Sequence, residues 1–186
     1  MSGYRAGDLL VASVTVSDGV FDGTVVLVLD ADESGTVGVV LNRLSPIDLP
    51  GALPAWADLV CPPQVLFDGG PVSQQGAVCL GELGDPDAVP LGWRAVTGRL
   101  GLLNLEIPPQ ESSWAFTRLR VFAGYAGWDP GQLEEELEFG MWHVVPALPD
   151  DPFDPVPETL WRRVLRRQGG DLALFSTWPE DSVELN

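Results

Sequence analysis

The chain contains no lysine: its ten cations are all arginine, set against 27 acidic residues, and its formal net charge is −17. Without lysine, a Walker-type phosphate cradle at Gly69-Gly70-Pro71 is excluded, and a tight turn is the plainer reading. A field this negative repels a nucleic-acid backbone and an anionic membrane surface, so direct binding to either is disfavoured. Cysteine is scarce too. Cys61 and Cys79 are too few for a disulfide framework and are expected as reduced thiols. His143 is the single histidine. A zinc site would need it beside both cysteines, and a Ser-His-Asp triad would lean on it with no G-x-S-x-G elbow in support. No apolar run approaches the ~18 residues of a membrane span. The first ten residues hold one arginine and one aspartate and no apolar stretch, so no signal peptide is expected and a cytoplasmic location is the default.

What is present is globular. The 186 residues are 45% hydrophobic and include seven tryptophans, which fits one domain able to bury roughly two-thirds of its unfolded surface. No linker divides the chain, so residues 1–175 are expected as one domain and 176–186 as a loose acidic tail. Asp8–Val16 reads as a first strand. Thr24–Asp30 and Thr36–Asn42 are apolar at nearly every position, which predicts a hairpin with a loop of about five residues, central in a sheet and buried on both faces. Asp18-Gly19 and Asp22-Gly23 are turn signals around Phe21. A proline-rich connection, Leu44–Pro63, is expected to hold a short helix near Ala52–Leu59. Gln64–Phe67, Gly76–Leu80 and Leu119–Ala123 read as strands, and Trp93–Val96 pairs with Leu100–Leu105.

Two helices carry terminal signals. The first opens at Asp129 with proline next and glutamine three residues on, a capping-box pattern, and stops at Gly140. The second runs from about Pro157 to Gln168 with Leu160, Trp161, Val164 and Leu165 in one stripe. Asp171–Phe175 is expected as a final strand.

Four segments in this order resemble the YqgE/AlgH family: Gly7–Ala12 (GDLLVA); Phe21 with Thr24–Leu27 and then Gly38–Arg43 (GVVLNR); Gly69–Val72 (GGPV); and Gly124–Glu134 (GYAGWDPGQLE). Gly140, Trp142 and Trp161 fit the same pattern, which covers about Gly7 to Leu165. The resemblance implies an α+β fold of one domain, with a strongly bent mixed sheet forming a pseudo-barrel flanked by helices. The molecular function of that family is not established; one of its names comes from a proposed role in alginate regulation, which would imply transcriptional control. It shares no known enzyme mechanism, so the resemblance carries over no catalytic residue, metal or cofactor. Gly23, Asp30-Ala31 and Asp129 depart from the family's usual arginine, histidine and small residue at those places.

Three loop-rich segments are expected to converge into one ligand- or partner-binding surface: Asn42 and Arg43; Gly69, Gly70 and Pro71; and Gly124, Tyr125, Gly127 and Trp128, with Gln132 and Glu134 following. A helix start flanked by glycines offers free N–H groups to an anion, but Asp129 is expected to cap those donors itself. Arg43 can clamp a carboxylate, from a ligand or from Glu134 or Asp68. Glu134, Glu135, Glu136 and Glu138 could bind a divalent cation or serve as acid and base, though a charged, solvated helix face is much the commoner reading. Arg162, Arg163, Arg166 and Arg167 form the one basic patch, which Asp150–Asp154 and Glu180–Glu184 could neutralise. The leading reading is a non-enzymatic binding or regulatory domain that contacts a protein or small ligand. The alternatives are a metal-assisted hydrolase built on the glutamates and a transcriptional regulator.

Overall fold

The structure is a computed structural model that describes residues 3–16 and 19–178. Asp18 of the first turn signal and the acidic residues 180–184 lie outside the described residues. The strands are β1 (Asp8–Ala12), β2 (Val25–Asp32), β3 (Gly35–Val40), β4 (Phe67–Asp68), β5 (Val72–Leu83), β6 (Trp93–Thr97), β7 (Leu100–Leu103), β8 (Phe116–Trp128) and β9 (Trp142–Pro146). They form one sheet in the order β6-β7-β5-β8-β3-β2-β1-β9. Neighbours along that path are antiparallel, and β4 joins β8 in parallel, so the sheet is mixed. Among the described residues, five short α-helices accompany it: α1 (Leu49–Ala52), α2 (Pro109–Ser112), α3 (Gln132–Glu138), α4 (Leu160–Gln168) and α5 (Gly170–Phe175). The molecule is a single α+β domain with a strongly curled sheet, as the resemblance implied.

The two-residue period of the central strands divides the core. Leu9, Val11, Val25, Leu27 and Val39 face Phe67, Phe122 and the apolar stripe of α4. Leu10, Ala12, Val26, Val28 and Val40 face the other way, against Trp128, Leu133 and Trp142. Both faces of β2 are therefore covered over Val25–Leu29, which is why that part of its sequence is an unbroken apolar run. A third cluster sets Trp56, Val60 and Leu66 against Leu119 and Val121 of β8.

The curl brings together strands that are far apart in the sheet order. Arg94 of β6 is ion-paired with Asp30 of β2, although β7, β5, β8 and β3 lie between them in that order. Gly7, just before β1, approaches the end of β6 so closely that a Cβ on it would stand 2.5 Å from Thr97 Cγ2. Its φ of 93° is a second reason for glycine there.

Several local expectations need correction. Asp171–Phe175 is not a strand but most of α5. Gly169 and Gly170 take positive φ and fold the chain back on α4, and Leu172 and Phe175, three residues apart, then face the main core. β8 does not end near Ala123 but continues through the glycine-rich stretch to Trp128. β5 likewise starts earlier, at Val72, and β1 ends at Ala12. The hairpin loop is shorter than expected, because Asp32 pairs with Gly35 and the Asp32 carboxylate accepts hydrogen bonds from the Ser34 N–H and hydroxyl. The helix in the proline-rich connection lies at Leu49–Ala52, where the Asp48 carboxylate caps the Gly51 N–H at 2.9 Å. At the start of α3, the cap position falls on Gly131 with φ 83° rather than on Asp129. Half of the capping box survives: Gln132 Oε1 accepts from the Asp129 N–H at 3.0 Å.

Candidate functional site

The three segments meet through backbone contacts. The Gly69 carbonyl accepts from the Val40 N–H at 2.9 Å, two residues before Asn42, and the Gly69 N–H donates to the Ala123 carbonyl at 2.8 Å. Val72 is then paired with Tyr125. The glycines permit this crossing. A Cβ on Gly69 or Gly70 would strike the backbone of Gly124 or Tyr125, and one on Gly124 would stand 2.6 Å from the Gly70 carbonyl oxygen. Gly69, Gly70 and Gly124 are buried, so they are spacers between strands; the exposed members are Pro71, Gly127 and Gln132.

Two hollows adjoin this crossing. The larger, of 420 Å³, is lined by Tyr125, Gly127 and Trp128 together with Asp30, Asp32 and Asp129. The smaller, of 220 Å³, is lined by Phe21, Val40, Arg43, Asp68, Gly70 and Pro71. Reading the sequence missed the aspartate rim of the larger one. Asp30 and Asp32 stand on β2 near the hairpin tip, opposite Val37 and Gly35 of β3. The Ser34 hydroxyl and N–H hold the Asp32 carboxyl below the usual carboxylate range.

Other expected members serve the fold. Asn42 accepts the Val25 N–H and donates to the Gly23 carbonyl, both at 2.9 Å, and so pins the base of the hairpin. Arg43 donates to the carbonyls of Gly19 and Asp22 at 3.3 and 3.1 Å, rather than to Glu134 or Asp68. Asp68 accepts the Gly70 N–H, and Glu134 accepts the Tyr4 hydroxyl at 2.9 Å. Gln132 donates to Glu136 at 3.0 Å. Glu136 is in turn held by two indoles, Trp128 Nε1 at 2.9 Å and Trp142 Nε1 at 2.7 Å, with Phe21 against both rings. Trp128 is therefore a buried anchor beneath the hollow.

Among the described residues, no three His, Cys, Asp or Glu side chains are grouped so as to hold a metal ion. Cys61 and Cys79 are free thiols, and burial pushes Cys79 up to about 12. His143 lies on β9 and stacks on Phe175. Of the basic patch, Arg163 pairs with Asp154 and Arg167 with Asp151, so the Asp150–Asp154 segment does neutralise part of it. Arg162 donates to the carbonyls of Ser176 and Trp178, which ties the first residues after α5 to α4. No helix among the described residues is long and apolar enough to cross a membrane.

The geometry agrees with the comparisons. A family profile described as AlgH-like matches residues 9–173. A UPF0301 protein of Streptomyces avermitilis is 51% identical over 178 residues, which cover 94% of this chain and 92% of the relative. One from Thermobifida fusca is 44% identical over 184 residues, covering 94% and 92%. A crystal structure of a Corynebacterium diphtheriae protein superposes with a TM-score of 0.88 at 36% identity, covering 94% of this chain and 93% of the other. The solution structure of the AlgH protein from Pseudomonas aeruginosa superposes with a TM-score of 0.69 at 27% identity, covering 96% of each.

Proposed function

The chain belongs to the AlgH-like family, and on that premise we propose that it is a binding domain that contacts another protein through the face around Tyr125, Gly127 and Pro71. The observation that carries this reading is the 420 Å³ hollow, whose lining brings Tyr125 and Trp128 together with three aspartates. Such a hollow suits a cationic side chain with an apolar stem, the arginine or lysine of a partner. The net charge of −17 would steer a basic partner toward it. A regulatory role then runs through protein contact rather than through DNA. The hydrolase alternative gains no support from α3, since Glu134 and Glu136 accept hydrogen bonds from Tyr4, Trp128 and Trp142.

The test uses the intact chain as bait, beside an Asp32→Asn, Asp129→Asn double variant that removes charge and little volume. The wild type should retain a partner that the double variant releases and that weakens with salt. A Glu138→Gln control on α3 should retain it. Equal retention by the double variant would overturn the assignment of this face.

A further inference from the structure

The hollow at the mouth of the curled sheet, of 390 Å³, lies apart from the crossing described above. It opens where the turn between β6 and β7 meets the approach to β1. Its floor is apolar: Leu100, Ala147 and Phe153 all belong to the main core or pack against it. Its rim is charged, with Arg5, Asp8, Glu82 and Arg99.

The rim charges are not equivalent. Glu82 is gripped by Arg118 through two hydrogen bonds of 2.8 Å, which hold its carboxyl below the usual range. Arg118 also reaches Asp150, which is turned toward solvent. Asp8 accepts the backbone N–H of Arg5 at 3.0 Å. Among the described residues the guanidinium of Arg5 forms no ion pair, and Arg99 donates only to the Gly84 carbonyl, at 2.9 Å. In this acidic chain, Arg94, Arg118, Arg163 and Arg167 each pair with a carboxylate. Arg5 and Arg99 thus bring two guanidinium groups without a carboxylate partner among the described residues to the mouth of one apolar hollow.

We propose that this hollow binds a small monocarboxylate with an apolar tail. The carboxylate sits between Arg5 and Arg99, whose planar forks match its two oxygens. The tail lies over Leu100, Ala147 and Phe153. The volume falls near the lower end of the roughly 300–1,000 Å³ typical of small-molecule sites, which favours a short tail over a long acyl chain. Gly7 and Thr97 both line the mouth, and the missing side chain of Gly7 is what lets the approach to β1 pass close to Thr97 there.

Calorimetric titration of the intact chain with octanoate tests the site, with octylammonium and octanol as comparisons. Octanoate should saturate one site and bind at least about tenfold tighter than octylammonium. An Arg5→Gln, Arg99→Gln double variant should lose about tenfold for octanoate while keeping its affinity for octanol. Both side chains are exposed, so the variant should fold. Leu100→Trp, which fills the hollow, should abolish binding of both. The Asp32→Asn, Asp129→Asn variant should bind octanoate as the wild type does, which separates this site from the partner face. Equal binding of octanoate and octylammonium, octanoate binding untouched by the arginine double variant, or no binding up to about 5 mM would each overturn the proposal.

Discussion

The guanidinium of Arg120 lies over the ring of Phe67, 4.3 Å from its centroid, inside the core of the sheet. Arg120 is only 1% exposed, and no carboxylate hydrogen-bonds it. It donates instead to the carbonyls of Pro152, Asp154 and Pro62. One side chain thereby ties β8 to the end of the proline-rich connection and to the turn that precedes α4.

That arrangement predicts an asymmetric response. Arg120→Ala leaves three carbonyls and a cavity behind, and should cost about 3–5 kcal/mol in urea denaturation. Arg120→Lys restores the charge but not the planar fork that serves three acceptors, and should recover less than half of that loss.

Glu136 joins Trp128 and Trp142 in the same sense. Glu136→Ala strands two indole N–H groups, and should cost about 2–4 kcal/mol. Glu136→Gln keeps one acceptor oxygen and should cost about 1 kcal/mol less than the alanine variant. Thermal or urea melts followed by tryptophan fluorescence check both.

Closure of the curl should depend on Gly7 more than on the ion pair across it. Arg94 and Asp30 are 66% and 44% exposed, so Arg94→Gln should change stability by less than about 1 kcal/mol. Gly7→Ala meets both a positive φ and the Thr97 methyl, and should cost about 1–3 kcal/mol. In a Thr97→Ser background part of that cost should vanish, because the methyl is gone while the backbone strain stays.

His143 gives a pH dependence with a definite sign. Burial of its ring lowers its folded pKa below the ordinary 6.5, and its Nε2 has no hydrogen-bond partner. Below pH 6.5 the unfolded chain takes a proton that the folded chain resists, so stability falls as pH drops through that value and levels off below the folded pKa. His143→Asn should flatten the difference in urea midpoint between pH 7.5 and pH 5.5. An unchanged slope would assign the effect elsewhere.

The thiols should differ in reactivity. The Cys79 thiol, on β5 and pushed up to about 12, should resist iodoacetamide in the folded chain at pH 8. Cys61 is also raised by burial but is half-exposed, and should react slowly. Mass spectrometry of the modified peptides separates the two.

Reading residues in order recovered most of the ladder: the hairpin of β2 and β3 with its largely apolar strands, the pairing of β6 with β7, and α4 with its stripe. Each is set by contacts within a few residues or between adjacent segments. The meeting of the segments holding Arg43, Gly70 and Tyr125 was expected as a surface of loops; the structure joins them by strand pairing, with the glycines at 69, 70 and 124 as spacers between backbones. The α5 segment was not legible. Leu172 and Leu174 alternate as in a strand, and only the positive φ of Gly169 and Gly170, with α4 to pack against, makes it helical.

By itself, the sequence determined the charge, the alternation that gives β2 two buried faces, and the glycines that its strand crossings require. Only the tertiary structure decided which charges are matched. Arg43 turned to backbone carbonyls, Glu136 to two indoles and Arg120 to the core, while Arg5 and Arg99 met at one hollow. Partner choice among like residues depends on distances across the closed sheet, and the curl that sets those distances is a property of the whole sheet and of no single segment.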